Sequence, residues 1–294
     1  MKSLLLPIVL LELGLAMTAQ TTRTLPDPLY GLTLDDVSSV STIAASISAL
    51  PRMPISRLVF DEETTPADYR NAIKALYPVS YLMGELLDSE YMSTISAANY
   101  AARTSQFLNA FRGQVDVWEV GNEVNGEWLG RTSDVVSKIS ASYNVVSAAG
   151  QRTGLTLYYN PNCWSNRSNE MLPWAQANIP AAMKAGLNYV LVSYYEGDCN
   201  NYRPSPAEWT QVFEKLHTMF PNAKLGFGET GMSKPIRSTT LSKAQSILNY
   251  YYKLKIPVPG YVGGGFWWYA AEDIVPMDKP FWASFSNALA SSPF

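Results

Sequence analysis

The stretch that decides the fold is Val115-Asp-Val-Trp-Glu-Val-Gly-Asn-Glu123, a short apolar run that ends on a glutamate. A second apolar run ends in the same way, in Lys224-Leu-Gly-Phe-Gly-Glu229. Short apolar runs of this kind are typical of buried strands in a parallel sheet. In a barrel of alternating strands and helices, the residues at the carboxyl ends of the strands carry the chemistry. The two glutamates are therefore the first candidates for an active site.

Short apolar runs alternate with longer amphipathic stretches from Gln20 onward, which is the order expected of repeated βα units. Two of the predicted helices have a Ser or Thr cap followed by proline, in Thr65-Pro66-Ala-Asp68 and Ser205-Pro206-Ala-Glu208. The last predicted helix covers residues 281–289. The predicted strands are 29–33, 57–60, 79–83, 115–120, 156–160, 189–194, 224–227 and 265–268.

Eight strands separated by helices predict an α/β fold, a (β/α)8 TIM barrel that forms a single domain over residues 20–294. A doubly wound open sheet is the alternative. It would carry a glycine-rich phosphate loop after its first strand, whereas the chain has Tyr30-Gly-Leu-Thr-Leu-Asp-Asp36 there. The glycines at 263–265 are expected to form a flexible or tightly turned entry to the eighth strand.

The amino terminus has the order of a secretory signal peptide. Lys2 precedes an apolar run over residues 4–11, and small residues follow up to Ala19. We expect residues 1–19 to be removed after Ala19 and the protein to be secreted or periplasmic. A membrane anchor would need about twenty apolar residues, more than this run supplies.

The composition restricts the partners. The net charge is -3, and the sequence shows no basic cluster of the kind that nucleic acids and anionic membranes require. Eight tryptophans and eighteen tyrosines exceed the needs of a core of this size, and flat rings in a cleft suit the apolar faces of sugars. We expect a monomer that binds a neutral carbohydrate without a cofactor.

The single histidine, His217, lies inside a predicted helix and is interpreted as structural. This removes serine and cysteine triads and sites with several histidine ligands from consideration. A magnesium site made of carboxylates stays open, because Asp35, Asp61, Glu62 and Glu85 all follow predicted strands, although we predict no metal. Cys163 and Cys199 each follow a predicted strand, and they either form a disulfide or remain free thiols.

Four segments resemble clan A of the glycoside hydrolases, barrel enzymes with an acid/base glutamate preceded by asparagine on strand four and a nucleophilic glutamate on strand seven. The segments are Trp118-Glu-Val-Gly-Asn-Glu123, Gly226-Phe-Gly-Glu229-Thr-Gly231, Ser193-Tyr-Tyr195 and Gly265-Phe-Trp-Trp268. The resemblance implies that Glu123 is the acid/base and Glu229 the nucleophile. It also implies that Asn122 binds the sugar 2-hydroxyl, that Tyr194 or Tyr195 contacts the nucleophile, and that Trp267 or Trp268 stacks under the sugar.

The chain departs from the clan pattern after the second and third strands. Many members carry an arginine at the end of strand two and a histidine or asparagine near the end of strand three. This chain has Phe60-Asp61-Glu62-Glu63 and Met83-Gly84-Glu85 there, which makes Asp61 and Glu85 candidates for an unusual sugar subsite. Arg57 opens its predicted strand and is expected to be too far from the active end to replace the missing arginine.

Three further residues are considered near the predicted site. Trp128 and Trp164, in the loops after strands four and five, are candidate sugar contacts. If Glu123 points into the barrel, strand alternation sends Glu119 inward as well, where it needs an arginine or a hydroxyl as partner.

The sequence favours a secreted retaining glycoside hydrolase that cleaves β-linked poly- or oligosaccharides. The alternative is a catalytically inactive carbohydrate-binding TIM barrel, suggested by the missing arginine.

Overall fold

Eight parallel strands pair in chain order, and the last closes on the first, which confirms the predicted (β/α)8 barrel. The structure is a computed structural model that describes residues 23–293. The predicted signal peptide, residues 1–19, lies outside the described residues. The strands are β1 Leu29–Leu34, β2 Ile55–Val59, β3 Tyr81–Glu85, β4 Val117–Glu119, β5 Thr153–Tyr158, β6 Tyr189–Tyr194, β7 Lys224–Thr230 and β8 Tyr261–Trp267.

Helices cover the outside of the barrel, and the sequence signals for their starts are confirmed. Thr65 and Ser205 form capping boxes with the carboxylates of Asp68 and Glu208, so the first backbone N–H groups of both helices find acceptors. The helices are α1 Val40–Ser48, α2 Pro66–Leu76, α3 Ala97–Phe111, α4 Thr132–Ala148, α5 Met171–Asn178, α6 Ala181–Gly186, α7 Pro206–Met219, α8 Leu241–Tyr251, α9 Ala270–Ile274 and α10 Pro280–Ala290. No helix within residues 23–293 is long and apolar enough to span a membrane.

The glycines before Phe266 lie inside β8, which corrects the prediction of a flexible entry to that strand. Gly264 pairs with Phe227 of β7 and with Tyr30 of β1. Its φ is +101°, and a Cβ added there would lie 2.2 Å from the Phe227 carbonyl oxygen. A Cβ on Gly265 would lie 2.6 Å from the Tyr252 ring. Glycine is needed here because the backbones and a ring approach too closely for any side chain.

Two apolar layers hold the barrel together. The larger lies between the strands and the helices and includes Phe60, Trp118 and Trp209, all fully buried. The smaller fills the inside of the barrel with residues such as Ile55, Met83 and Val117. Because side chains alternate along a strand, the inward positions two residues further on are Arg57, Glu85 and Glu119. Charged groups therefore lie directly above the inner apolar layer.

A disulfide joins Cys163, after β5, to Cys199, after β6, with Cα atoms 5.2 Å apart. It links two neighbouring loops at the carboxyl ends of the strands. The sequence left open whether these thiols are paired or free, and the structure has them paired. His217 lies in α7, on the outer layer of helices.

Candidate active site

A cavity of about 620 Å³ opens at the carboxyl ends of the strands and contains both candidate glutamates. Glu123 lies in the segment that follows β4, and Glu229 is the last but one residue of β7. Aromatic rings from the ends of β5, β6 and β8 complete its walls. The lining residues are Asp88, Ser89, Glu90, Asn122, Glu123, Trp128, Tyr158, Tyr195, Asp198, Glu229, Met232, Ser233, Trp268 and Tyr269.

The Glu229 carboxylate receives three hydrogen bonds from side chains. Arg57 Nη2 and Asn122 Nδ2 each donate to Oε1 over 2.6 Å, and the Tyr195 hydroxyl donates to Oε2 over 2.8 Å. All four side chains are buried. Donors aimed at a carboxylate favour its ionised form, and a buried cation beside it adds to the effect. Three donors, one of them a buried guanidinium, therefore surround the Glu229 carboxyl group in the cavity.

Arg57 lies in the middle of β2 and reaches Glu229, which corrects the prediction that it sits at the wrong end of its strand. The strand begins two residues earlier than predicted, at Ile55, so the side chain of Arg57 points into the barrel. Its Nε lies 3.2 Å from Glu85 Oε2 and its Nη1 lies 3.4 Å from Glu119 Oε2. One guanidinium thus faces three buried carboxyl groups, of which only Glu229 reaches the cavity.

Glu119 has the partners that its depth in the barrel requires. The Thr156 hydroxyl donates to its Oε1, and Arg57 faces it from β2. The expectation of an arginine or a hydroxyl beside Glu119 is confirmed. Burial outweighs the attraction of Arg57 and raises the pKa of Glu119 to about 7. Burial likewise raises the pKa of Glu85 well above its usual range.

Glu123 projects from a tight turn after β4 rather than from the strand itself. The strand ends at Glu119, and Glu123 has a φ of +44°, while its carbonyl oxygen accepts from Gly126 N over 2.7 Å. This left-handed conformation is uncommon for a residue with a side chain and clusters at functional sites. It turns the carboxyl group into the cavity. Burial, followed by the nearby charge of Glu229, raises the pKa of Glu123 well above its usual range.

One hydroxyl group contacts both glutamates. The Ser193 hydroxyl donates to Glu123 Oε1 and lies 3.4 Å from Glu229 Oε2. The nearest oxygens of the two carboxyls are therefore within about 6 Å of each other, two hydrogen-bond lengths. On the other side of Glu123, Ser89 Oγ lies 3.3 Å from Oε2 and accepts from Trp128 Nε1 over 3.0 Å.

Four of the predicted substrate contacts line the cavity: Asn122, Tyr195, Trp128 and Trp268. Trp128 is 41% exposed, and its ring meets that of Tyr158 edge to face. Trp268 covers Arg57, whose guanidinium carbon lies 5.1 Å from the centre of a Trp268 ring. Of the two pairs that the sequence left open, Tyr195 contacts Glu229, and Trp268 is the tryptophan that lines the cavity.

The prediction is corrected for Tyr194 and Trp267, which point out of the barrel. Tyr194 packs against Trp209, and its hydroxyl donates to the Tyr202 carbonyl over 2.6 Å. Trp267 is fully buried, and its Nε1 donates to Asp273 Oδ2 over 2.7 Å. Alternation along a strand gives consecutive residues opposite faces, so only one of each pair can reach the cavity.

The prediction is also corrected for Trp164, Asp61 and Glu85, none of which lines the cavity. Trp164 lies in the loop after β5, beneath Arg167. Asp61 lies at the surface, where its Oδ2 accepts from the Tyr69 hydroxyl over 3.3 Å. Glu85 is fully buried beside Arg57 and cannot touch a sugar. The alternative magnesium site has no counterpart within residues 23–293, where no group of three His, Cys, Asp or Glu side chains is arranged so that it could hold a metal ion.

Sequence reasoning missed Arg57, Ser89 and Ser193 as parts of the site. Serines carry no hydropathy signal, and a single hydroxyl at a strand end resembles any loop serine. Asp88 was missed as well, because the predicted third strand ended before it; burial raises its pKa to about 6. Arg57 could have been found from the sequence, because a charged residue between the apolar ends of a buried strand must face a partner.

No protein-family model matches the sequence, and no curated protein matches it. Solved structures match it in fold. A GH5-4 broad specificity endoglucanase from an uncultured bacterium is 12% identical with a TM-score of 0.63, over 90% of this chain and 94% of that chain. A GH10 xylanase from Bispora sp. MEY-1 with xylobiose is 10% identical with a TM-score of 0.57, over 82% and 83%. The catalytic domain of the major endoglucanase from Xanthomonas campestris pv. campestris is 14% identical with a TM-score of 0.54, over 89% and 94%.

These matches share the eight-stranded parallel barrel of the clan A glycoside hydrolases. The resemblance predicted from the sequence is therefore confirmed at the level of the fold. At such low identity the likeness extends to the fold alone, and no family is assigned.

Proposed function

We propose that this protein is a retaining glycoside hydrolase that cleaves β-glycosidic bonds by double displacement. The observation that carries the proposal is the Ser193 hydroxyl, which contacts both Glu123 and Glu229. The nearest oxygens of two carboxyls joined by one hydroxyl are about 6 Å apart at most, which supports a short separation like the roughly 5–5.5 Å between the carboxyl groups of retaining enzymes. Inverting enzymes place their carboxyls about 6.5–9.5 Å apart to admit a water molecule.

The surroundings of the two glutamates assign their roles. Glu229, anionic among Arg57, Asn122 and Tyr195, attacks the anomeric carbon and forms a glycosyl ester. Glu123, which burial and the Glu229 charge keep protonated, gives its proton to the departing glycosidic oxygen as the bond to the anomeric carbon breaks. The leaving group departs as a neutral alcohol.

The second step uses the same two glutamates, but Glu123 now begins the step without its proton. Once Glu229 is esterified it carries no charge, so one cause of the raised pKa of Glu123 disappears. Glu123 is then ionised and takes a proton from water, whose oxygen attacks the anomeric carbon and releases the Glu229 carboxylate. The sugar leaves with its original anomeric configuration, and Glu123 is protonated again.

Carbohydrate as the substrate is supported by the cavity walls. Trp268 and Trp128 offer flat faces beside and above the carboxyl pair, and Asn122 is placed next to Glu229 where a sugar 2-hydroxyl would lie. The fold neighbours named endoglucanase and xylanase add support for a β-linked glycan, as a poly- or oligosaccharide.

Export belongs to the same proposal. It rests on the signal-peptide pattern of residues 1–19, and the disulfide between Cys163 and Cys199 supports it because such bonds persist in oxidising compartments. The alternative of an inactive sugar-binding barrel was suggested by the missing arginine at the end of strand two; the contact of Arg57 with Glu229 supports the active enzyme instead.

Substitution of the nucleophile tests the proposal. Glu229→Ala is expected to abolish turnover of aryl β-glycosides, and sodium azide should restore it by entering the space that the carboxylate leaves. Glu214→Ala, an exposed glutamate on α7, is the control and should keep full activity. Undiminished turnover by the Glu229→Ala variant would overturn the proposal. Sugar binding by the wild-type protein without release of reducing ends would favour the inactive barrel.

A further inference from the structure

A second cavity, of about 270 Å³, adjoins the candidate active site. Met232 and Ser233 line both cavities, so the two share a wall. The second cavity is formed by the segment after β7 and the beginning of α8. Among its described lining residues are the three cations Lys234, Arg237 and Lys243, and none is an Asp or Glu. We refer to it as the basic cavity.

The cations of the basic cavity have few partners of their own. Lys234 and Arg237 form no ion pair with any residue in the described part of the chain, and Lys243 Nζ donates to the amide oxygen of Asn201 over 2.6 Å. Thr240, the residue that precedes α8, also lines the basic cavity. The amino-terminal end of an eleven-residue helix therefore adds its partial positive charge to that of the side chains.

The candidate active site has the opposite charge. Its described lining includes five carboxyl groups, those of Asp88, Glu90, Glu123, Asp198 and Glu229, and no Lys, Arg or His. The nearby Arg57 is fully buried beneath Glu229. An anionic sugar would be repelled from the bond that is cleaved. Across the wall that the two cavities share, an anion would be attracted.

No sequence pattern indicates this arrangement, because the three cations are separated along a loop and a helix. The fold brings them to one concavity. At the boundary, the Ser233 hydroxyl donates to Asp198 Oδ1 over 2.6 Å, which holds that carboxylate on the side of the active site. The charges of the two cavities are therefore separated rather than mixed.

We propose that the basic cavity is a subsite for an anionic group, a carboxylate, sulfate or phosphate, carried by a sugar unit next to the one that is cleaved. This inference rests on the proposed function for its sugar part. The substrate is then an acidic glycan that is hydrolysed at a neutral unit. Arg237 supplies a planar fork for two anion oxygens, and the lysines supply point charges.

Binding measurements test the subsite without requiring turnover. The probes are inorganic sulfate, a cello-oligosaccharide, and the same oligosaccharide with carboxylates introduced at C6, each titrated calorimetrically into the Glu229→Gln protein. The test variant adds Lys234→Ala, Arg237→Ala and Lys243→Ala. The control variant removes the same charge from exposed positions elsewhere, with Arg70→Ala, Lys74→Ala and Lys215→Ala.

We expect the carboxylated oligosaccharide to bind more tightly than the neutral one. The test variant should weaken its binding about tenfold, the sum expected of three partly exposed charge pairs, and leave the neutral oligosaccharide unaffected. The test variant should weaken the binding of sulfate as well, and added salt should weaken the binding of both sulfate and the carboxylated oligosaccharide. The control variant should bind like the parent.

Three results would overturn the inference. The first is no gain from the carboxylates, including the case in which neither oligosaccharide binds. The second is sulfate binding that the test variant loses without any change for the carboxylated sugar, which would make the cavity a site for free inorganic anions. The third is equal losses in the test and control variants. Failure of the proposed function is separate, because it appears as absent hydrolysis by the wild-type protein.

Discussion

Arg57 Nη2 lies 2.6 Å from Glu229 Oε1, and the two side chains are 0% and 4% exposed. This contact connects the charged layer inside the barrel to the group that we propose as nucleophile. The same guanidinium also faces Glu85 and Glu119. Because one cation faces three buried carboxyl groups, the stability of the barrel and the surroundings of the proposed nucleophile depend on the same residue.

Removal of the Arg57 charge should be strongly destabilising. Arg57→Met leaves the carboxylates of Glu85, Glu119 and Glu229 buried without their cation, which costs about 3–5 kcal/mol. Urea unfolding measures the loss. Arg131→Met, at an ion pair whose arginine is 83% exposed, is the control and should change stability by less than about 1 kcal/mol. Equal stability of the Arg57→Met variant and the wild type would show that the cluster is not held by charge.

The stability of the protein should fall as the pH rises from acid to neutral. Burial raises the pKa of Glu119 from 4.5 to about 7, so the folded state binds a proton that the unfolded state has released. That contribution is complete below about pH 4.5 and is lost as the pH rises through 7. Glu119→Gln should flatten this part of the profile of urea midpoints against pH. The exposed Glu214→Gln should leave the slope unchanged, and an unaltered slope in Glu119→Gln would contradict the assignment.

The Tyr195 hydroxyl should contribute to turnover, whereas the Tyr194 hydroxyl should not. Tyr195→Phe removes a hydrogen bond to the Glu229 carboxylate and should lower kcat/KM by about 10- to 100-fold, the worth of a bond to a charged group. Tyr194→Phe removes a bond to the Tyr202 carbonyl outside the cavity and serves as the matched control. Similar losses in the two variants would mean that the effect is structural.

Ser193 should set the pH at which activity declines on the alkaline side. The hydrogen bond from Ser193 lowers the pKa of Glu123, so Ser193→Ala should raise that pKa. The alkaline limb of kcat/KM, where the acid loses its proton, should then move to higher pH. Ser89→Ala, which removes a 3.3 Å contact with the same carboxyl, should move it less. A shift to lower pH in Ser193→Ala would contradict the donor role.

The barrel was predictable from the sequence because short apolar runs alternate with amphipathic stretches eight times, and the positions of the two glutamates because each ends such a run. The tyrosine and tryptophan pairs could not be resolved, since a shift of one residue in a strand boundary moves a side chain from the cavity to the outer layer. Arg57 was misplaced for a similar reason, because β2 begins two residues earlier than its apolar pattern suggests. The turn that directs Glu123 depends on a left-handed backbone at a non-glycine residue, which no pattern indicates.

The central claim is that Glu229 forms a covalent bond to the sugar while Glu123 serves as acid and base. Incubation with an activated 2-deoxy-2-fluoro-β-glycoside that the protein hydrolyses in its unfluorinated form should trap the ester, because the fluorine slows its hydrolysis. Mass spectrometry of proteolytic fragments should place the added mass on Glu229. A label on another residue, or turnover without any label and with inverted anomeric configuration, would contradict the account.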